Sequence, residues 1–234
     1  MKFACVDTST FTESVALVEG DMLWGERSVR RPYGHAPGLH ADLRALLAEV
    51  SWSLDSLDAF VIGIGPGSFT GLRVGMAAMK GLAYALDKPL YGVNTSKALL
   101  ASLADSRKAL SLIDARRGEV YAYGDLLDHP VCTSPENLIQ RLKTQCEIPR
   151  VLVGEGAAKH QELFKKAWPQ TYIPEAIACH LPRAALLASG LQTQIEQGLR
   201  DVDHVAGLEP IYVRKSDAEI NYPEGFPSEA RLFK

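Results

Sequence analysis

Three short segments of this chain carry residue types and spacings that could do chemistry. The first is Gly63-Ile-Gly-Pro-Gly-Ser-Phe-Thr-Gly-Leu-Arg-Val-Gly75, with five glycines and a proline in 13 residues. Glycine tolerates positive φ and has no Cβ to clash, so such a run lets backbone come close to a phosphate, a nucleotide or another protein. The second and third are Asp7-Thr-Ser-Thr10 and Asp114-Ala-Arg-Arg-Gly118. An aspartate at a strand end either caps its own turn by accepting backbone N–H groups or faces a magnesium ion and a phosphate together.

The common nucleotide and nucleophile motifs do not fit the glycine run. A Walker A loop needs Lys-Ser/Thr after its last glycine, and here Gly71 is followed by Leu72 and Arg73. A dinucleotide fingerprint started at Gly63 and Gly65 meets Ser68 in its last place. A nucleophile elbow needs glycines two places either side of the serine, and Ser68 has Pro66 and Thr70 there. The plain alternative is a tight strand-to-helix turn with Ser68 or Thr70 as the helix N-cap.

Hydrophobic periodicity supplies the elements that must position these segments. Strands are expected over residues 2–7, 13–18, 22–28, 59–64 and 89–93, with helices over 37–50, 70–86 and 96–104. The second half repeats the order: strands over 109–114, 119–125, 127–132 and 150–153, helices over 135–145 and 157–167, a short strand over 171–173 and a helix over 183–197. Asp7 and Asp114 each end the first strand of a half. Gly63-Ile-Gly65 and Gly154-Glu-Gly156 each follow its fourth strand. A three-strand meander followed by alternating helices and strands is the ribonuclease-H-like layout, and two in tandem resemble the α/β fold of the actin, Hsp70 and sugar-kinase superfamily. The expected division is a first lobe over 1–105, a second over 106–214, and a tail over 215–234 with little periodicity.

Composition bounds the rest. With 234 residues, 47% of them hydrophobic, the chain can build one large domain or two lobes. A formal net charge of −3 provides no global basic field for nucleic acid. Cys5, Cys132, Cys146 and Cys179 form no Cys-x-x-Cys pair, which argues for a reduced, cytoplasmic protein without disulfides or structural zinc. No uncharged apolar run reaches membrane-spanning length. The six histidines, at 35, 40, 129, 160, 180 and 204, include no pair four apart on one helix face, so no metal centre is expected.

Members of the superfamily usually carry Asp-x-Gly-Thr/Ser after the first strand, where the glycine turns backbone N–H groups toward a phosphate. Here Ser9 takes the glycine place before Thr10, and Arg116 takes it after Asp114. The reading is a degenerate phosphate site at Asp7, Ser9, Thr10, Asp114 and Arg116, with no cofactor; Arg116 could pair with a phosphate or plug the cleft. The alternative is a small-molecule kinase using Asp7, Thr10 and Asp114 around Mg-ATP.

Four segments together resemble the TsaB (formerly YeaZ) family: residues 6–10, 65–75, 113–121 and Glu209-Pro-Ile-Tyr-Val-Arg214. That resemblance implies a non-catalytic partner of TsaD. TsaD, with TsaB and the ATPase TsaE, places a threonylcarbamoyl group on the tRNA adenosine beside the anticodon. The catalytic relative's His-x-x-x-His metal pair is missing here. TsaE is then reached through the TsaB–TsaD pair, and tRNA indirectly.

A docking surface is read from two helices. Residues 70–86 hold only Arg73 and Lys80 as charges, and Gly71, Gly75 and Ala78 form a small-residue stripe. A helix apolar nearly all round needs cover on two sides. Leu39, Leu43, Leu46 and Leu47 stripe the preceding helix. The expected interface, to TsaD or a second copy, is Leu39, Leu43, Leu46, Leu47, Gly71, Arg73, Val74, Gly75, Ala78, Met79 and Leu82, against the alternative that these residues pack the lobe's own core.

Overall fold

The computed structural model describes residues 1–31, 36–189, 191, 195 and 205–214. The first three strands are β1 (Lys2–Asp7) and β2 (Thr12–Glu19), both buried along almost their whole length, and the more exposed β3 (Met22–Arg30). They pair antiparallel as a meander, and β4 (Ala59–Gly63) and β5 (Leu90–Val93) add in parallel beside β1. The sheet order is β3-β2-β1-β4-β5.

The second sheet repeats this plan. β6 (Ala109–Arg116), β7 (Glu119–Gly124) and β8 (Val131–Thr133) form the meander, β9 (Val151–Val153) joins β6 in parallel, and the order is β8-β7-β6-β9. The strand expected over 171–173 is a single parallel bridge from Tyr172 to Val151, in the place β5 holds in the first sheet. Both lobes therefore carry the ribonuclease-H-like strand order.

Helices α1 (Ala36–Glu49) and α2 (Phe69–Ala85) cover one face of the first sheet, burying Leu39, Leu43, Leu46 and Leu47 with Ile62, Met76 and Met79. The other face is covered by α7 (Ala184–Leu187) with Leu191 and Ile195. α3 (Thr95–Ala101) packs Ala98 toward the first sheet and Leu99 and Leu100 toward the second, so one short helix cements the lobes. α4 (Pro135–Thr144), α5 (Glu155–Lys159) and α6 (Gln161–Ala167) close the second lobe; a break at His160 divides the helix expected over 157–167. Residues 190, 192–194 and 196–197 of the helix expected over 183–197, together with His35, His204 and the tail 215–234, lie outside the described residues.

Two expectations about the docking helices are corrected. Leu39, Leu43, Leu46 and Leu47 are at most 6% exposed, enclosed by their own lobe. Gly71, Gly75 and Met79 are also buried. Apolar periodicity shows that a stripe needs cover, and here the chain's own sheet supplies it. A Cβ on Gly75 would lie 2.2 Å from Thr8 Oγ1, and Thr8 Oγ1 donates to the Gly71 carbonyl at 2.8 Å. The missing side chain at residue 75 lets α2 settle against Thr8, just after β1. Gly75→Leu is therefore expected to destabilise the isolated chain by about 1–3 kcal/mol through overpacking, read as a lower midpoint in urea unfolding without any partner present.

Candidate functional site: the cleft between the lobes

The glycine run closes on the chain itself. Asp7 ends β1 fully buried, and its carboxylate accepts the Ser9 N–H (2.8 Å), Ser9 Oγ (2.6 Å) and Thr95 Oγ1 (2.7 Å). A Cβ at Gly63 would lie 2.0 Å from Asp7 Oδ2, and one at Gly67 would lie 2.2 Å from the Ser9 carbonyl oxygen. Ser68 N–H donates to that carbonyl at 2.6 Å, and Ser68 Oγ caps α2 by accepting the Gly71 N–H. The close approach anticipated for a ligand or partner is thus made to the turn after β1, and Ser68, rather than Thr70, is the N-cap.

The corresponding turn of the second lobe is chemically different. Asp114 accepts the Arg116 N–H at 3.0 Å and the Lys159 ammonium at 2.9 Å. The β6–β7 register shifts between Asp114 and Arg116, a bulge of the kind that re-aims a side chain. Arg116, Arg117 and Gly118 follow with φ of +62°, +52° and +78°. Two arginines in the left-handed region are uncommon and cost energy that glycine or asparagine would avoid. The result is that the Arg116 guanidinium lies 4.3 Å from the centroid of the Phe11 ring of the first lobe.

These turns face a cavity of about 790 Å³. Ser9, Thr10 and Phe11 line one wall, Gly67–Thr70 and Arg73 a second, Asp114–Arg116, Tyr121 and Glu155 a third. Tyr212 and Arg214 complete it. The structure therefore brings Ser9, Thr10, Asp114 and Arg116 to one place and sets Asp7 behind them. Sequence reasoning assigned no role to Phe11, Thr95 or Lys159, which no motif marks, and gave Glu155 none beyond its place within Gly154-Glu-Gly156. It quoted Tyr212 and Arg214 within residues 209–214 without giving them a task.

Glu155 is the titratable oddity of the cleft. Its side chain is 16% exposed, and Arg30 lies 3.8 Å away across the lobes. Burial pushes its pKa up; Asp114 and Asp7 add to the rise, while Arg30 and Lys159 oppose it. One carboxylate oxygen is buried without a hydrogen-bond partner.

A fold of this kind implies Mg-ATP between the lobes, and the residues present do not fit it. The buried Asp7 carboxylate is taken up by Ser9 and Thr95, and the partly exposed Asp114 carboxylate already carries a cationic partner in Lys159. Among the described residues no three His, Cys, Asp or Glu side chains are gathered as a metal ion would require. His180 is buried with its ring nitrogens against the Gly154 and Pro174 carbonyl oxygens. No helix is long and apolar enough to cross a membrane among those residues.

With this geometry established, comparison with known proteins places the chain. The family model described as TsaD: tRNA N6-adenosine threonylcarbamoyltransferase matches residues 34–222. The chain belongs to this family. Its likeness within it is to TsaB (YeaZ) members. The tRNA threonylcarbamoyladenosine biosynthesis protein TsaB of Bacillus subtilis is 27% identical over 96% of this chain and 99% of its own length. The crystal structure of YeaZ from Pseudomonas aeruginosa superposes with a TM-score of 0.67 at 28% identity, covering 91% of this chain and all of that one. The activator of 2-hydroxyisocaproyl-CoA dehydratase from Clostridium difficile, solved with bound ADPNP, shares the fold at a TM-score of 0.50 and 10% identity, covering 84% and 98% of the two chains.

The raised pKa of Glu155 gives a signed expectation. Folding favours its protonated form, so its contribution is fully present below the ordinary carboxylate pKa and is lost as pH rises through the raised value. Glu155→Gln should raise the melting temperature near pH 7 by about 1–3 °C and change it little below pH 4; calorimetry across that range checks both arms.

Proposed function

We propose that this chain is a non-catalytic assembly partner of TsaD, acting in the formation of threonylcarbamoyladenosine beside the anticodon of tRNA. The observation that carries the reading is the state of Asp7 and Asp114. Both carboxylates a phosphoryl-transfer cleft would need are committed to the chain's own donors. The names of the similar proteins place them in threonylcarbamoyladenosine biosynthesis. A small-molecule kinase would require those same carboxylates to face metal, and the geometry favours it less.

The partner surface then has to be relocated. Of the residues first expected there, Val74, Ala78 and Leu82 are partly exposed, Arg73 is exposed, and the others are buried. Ala78 and Leu82 still pack on the core. The face of α2 that points outward carries Thr70, Val74, Ala77, Gly81, Tyr84 and Ala85, which recur at helical spacing along one side. Tyr84 is 87% exposed. A Cβ at Gly81 would meet nothing within 4 Å. Small side chains let a second helix approach closely, and Tyr84 supplies the amphipathic anchor favoured at interfaces. A stable specific pairing here would bury about 1,200–2,000 Å² in total. In the absence of TsaD the same face can take a second copy. TsaE is engaged through the pair in this reading, and tRNA through TsaD, in keeping with a net charge of −3. The setting is cytoplasmic, where tRNA is modified.

Gly81→Arg separates binding from folding. The position is open, and replacing glycine inside a helix is worth up to about 1 kcal/mol of stability. The variant should fold at least as well as the parent yet bind TsaD at least ten-fold more weakly in a titration. Unchanged affinity would remove this face from the interface. ATP turnover should require TsaD or TsaE; sustained hydrolysis by the isolated chain would return the kinase reading.

A further inference from the structure

Residues 205–214, a turn followed by irregular chain, run along α2 and engage both cations of that helix. Lys80 Nζ donates to the Ala206 carbonyl at 2.8 Å, and Arg73 Nε donates to the Tyr212 hydroxyl at 3.1 Å. Leu208 fills a notch that exists because residue 92 is glycine; a Cβ there would lie 2.7 Å from Leu208 and 2.8 Å from Ile64. The Ile211 N–H donates to the Ile64 carbonyl at 2.8 Å, just beyond β4. The Tyr212 ring lies 4.8 Å from Phe69, on which Arg73 stacks at 3.8 Å.

The same strip then fastens to the other lobe. Val213 packs with Ile113 and Tyr121. Arg214 Nη1 donates to the Ala115 carbonyl at 3.1 Å and to Glu119 at 3.0 Å, gripping both sides of the β6–β7 hairpin. The main packing partners of α2 are β1, β4, β5 and α1, all of the first lobe. Among the described residues the strip is a direct tie between the helix and the second lobe.

We propose that residues 206–214 are a positioning strap that couples the β6–β7 hairpin of the second lobe to the orientation of α2. Arg73, Lys80 and Tyr212 are positioning residues in this account, holding the strap rather than contacting the partner. The inference rests on the assignment of the outward face of α2 to TsaD, and deepens it: docking on α2 and closure of the lobes become one equilibrium. Coupling of this kind is reciprocal. Fixing α2 tightens the hairpin, and loosening the hairpin frees α2.

Amide hydrogen exchange on the full chain tests the coupling without any partner. Arg214→Met breaks only the second-lobe anchor and Lys80→Met only the far first-lobe anchor. Arg214→Met is expected to speed exchange at least five-fold within residues 70–80, and Lys80→Met to do the same within residues 114–121. The double variant should exchange no faster than the worse single one. Changes confined to the neighbourhood of each substitution, or effects that simply multiply, would overturn the strap. Should Arg214→Met fail to fold, Tyr212→Phe removes a single hydroxyl and must still loosen residues 114–121. Titration with TsaD keeps the two ideas apart: coupled exchange with TsaD affinity untouched by Gly81→Arg retains the strap and removes the partner assignment, whereas local exchange with lost affinity does the reverse.

Discussion

The structure depends on a close knot between the turn after β1 and the loop that launches α2. At its centre is a fully buried carboxylate, Asp7, which must be given donors. Ser9 supplies two and Thr95 a third. The loop can reach around this group only because residues 63 and 67 lack side chains, and the helix can lie against Thr8 only because residue 75 does too. The entry point and roll of α2 are thereby fixed. Its apolar side faces the sheet, and its smallest side chains split into two sets, one against β1 and one outward.

The two lobes share a strand order but not a chemistry. Asp114 occupies the place of Asp7 yet is partly exposed and held by Lys159. Where the first turn is tightened by a serine, the second is opened by a bulge that sends Arg116 across to Phe11. The cleft is consequently lined by guanidinium groups, aromatic rings and one carboxyl group that burial discourages from ionising. A magnesium-bound triphosphate needs the opposite: open carboxylate oxygens and backbone N–H groups turned outward by glycine. The strand order of a phosphate-handling fold persists here, while the Asp7 and Asp114 carboxylates accept from the chain's own donors.

Pairing within the chain also accounts for the rigidity of the scaffold. Internally satisfied turns hold the lobes in one arrangement. Arg30 with Glu155, Arg116 with Phe11, and Arg214 with Glu119 bridge or brace that arrangement at the cleft. The outward side of α2 is a preformed helix face made mostly of small side chains.

The strand and helix order was legible in the sequence, because alternation at period two and apolar recurrence at 3.6 survive without tertiary information. So were the doubled plan and the strand-to-helix turn at Ser68; of the two aspartates, Asp7 ends its strand as expected, whereas β6 continues past Asp114 to Arg116. The direction in which each stripe faces was not. Leu39, Leu43, Leu46 and Leu47 announce that a face must be covered, but only the fold shows that the chain's own sheet covers it. Glycines at 63, 67 and 75 announce close approach, but only the fold names Asp7, Ser9 and Thr8 as what approaches. Periodicity is a property of one element, whereas burial and hydrogen-bond partners belong to pairs of elements brought together across tens of residues. For that reason the sequence alone determined the elements and the family, and tertiary structure alone decided which of their faces remain for another molecule.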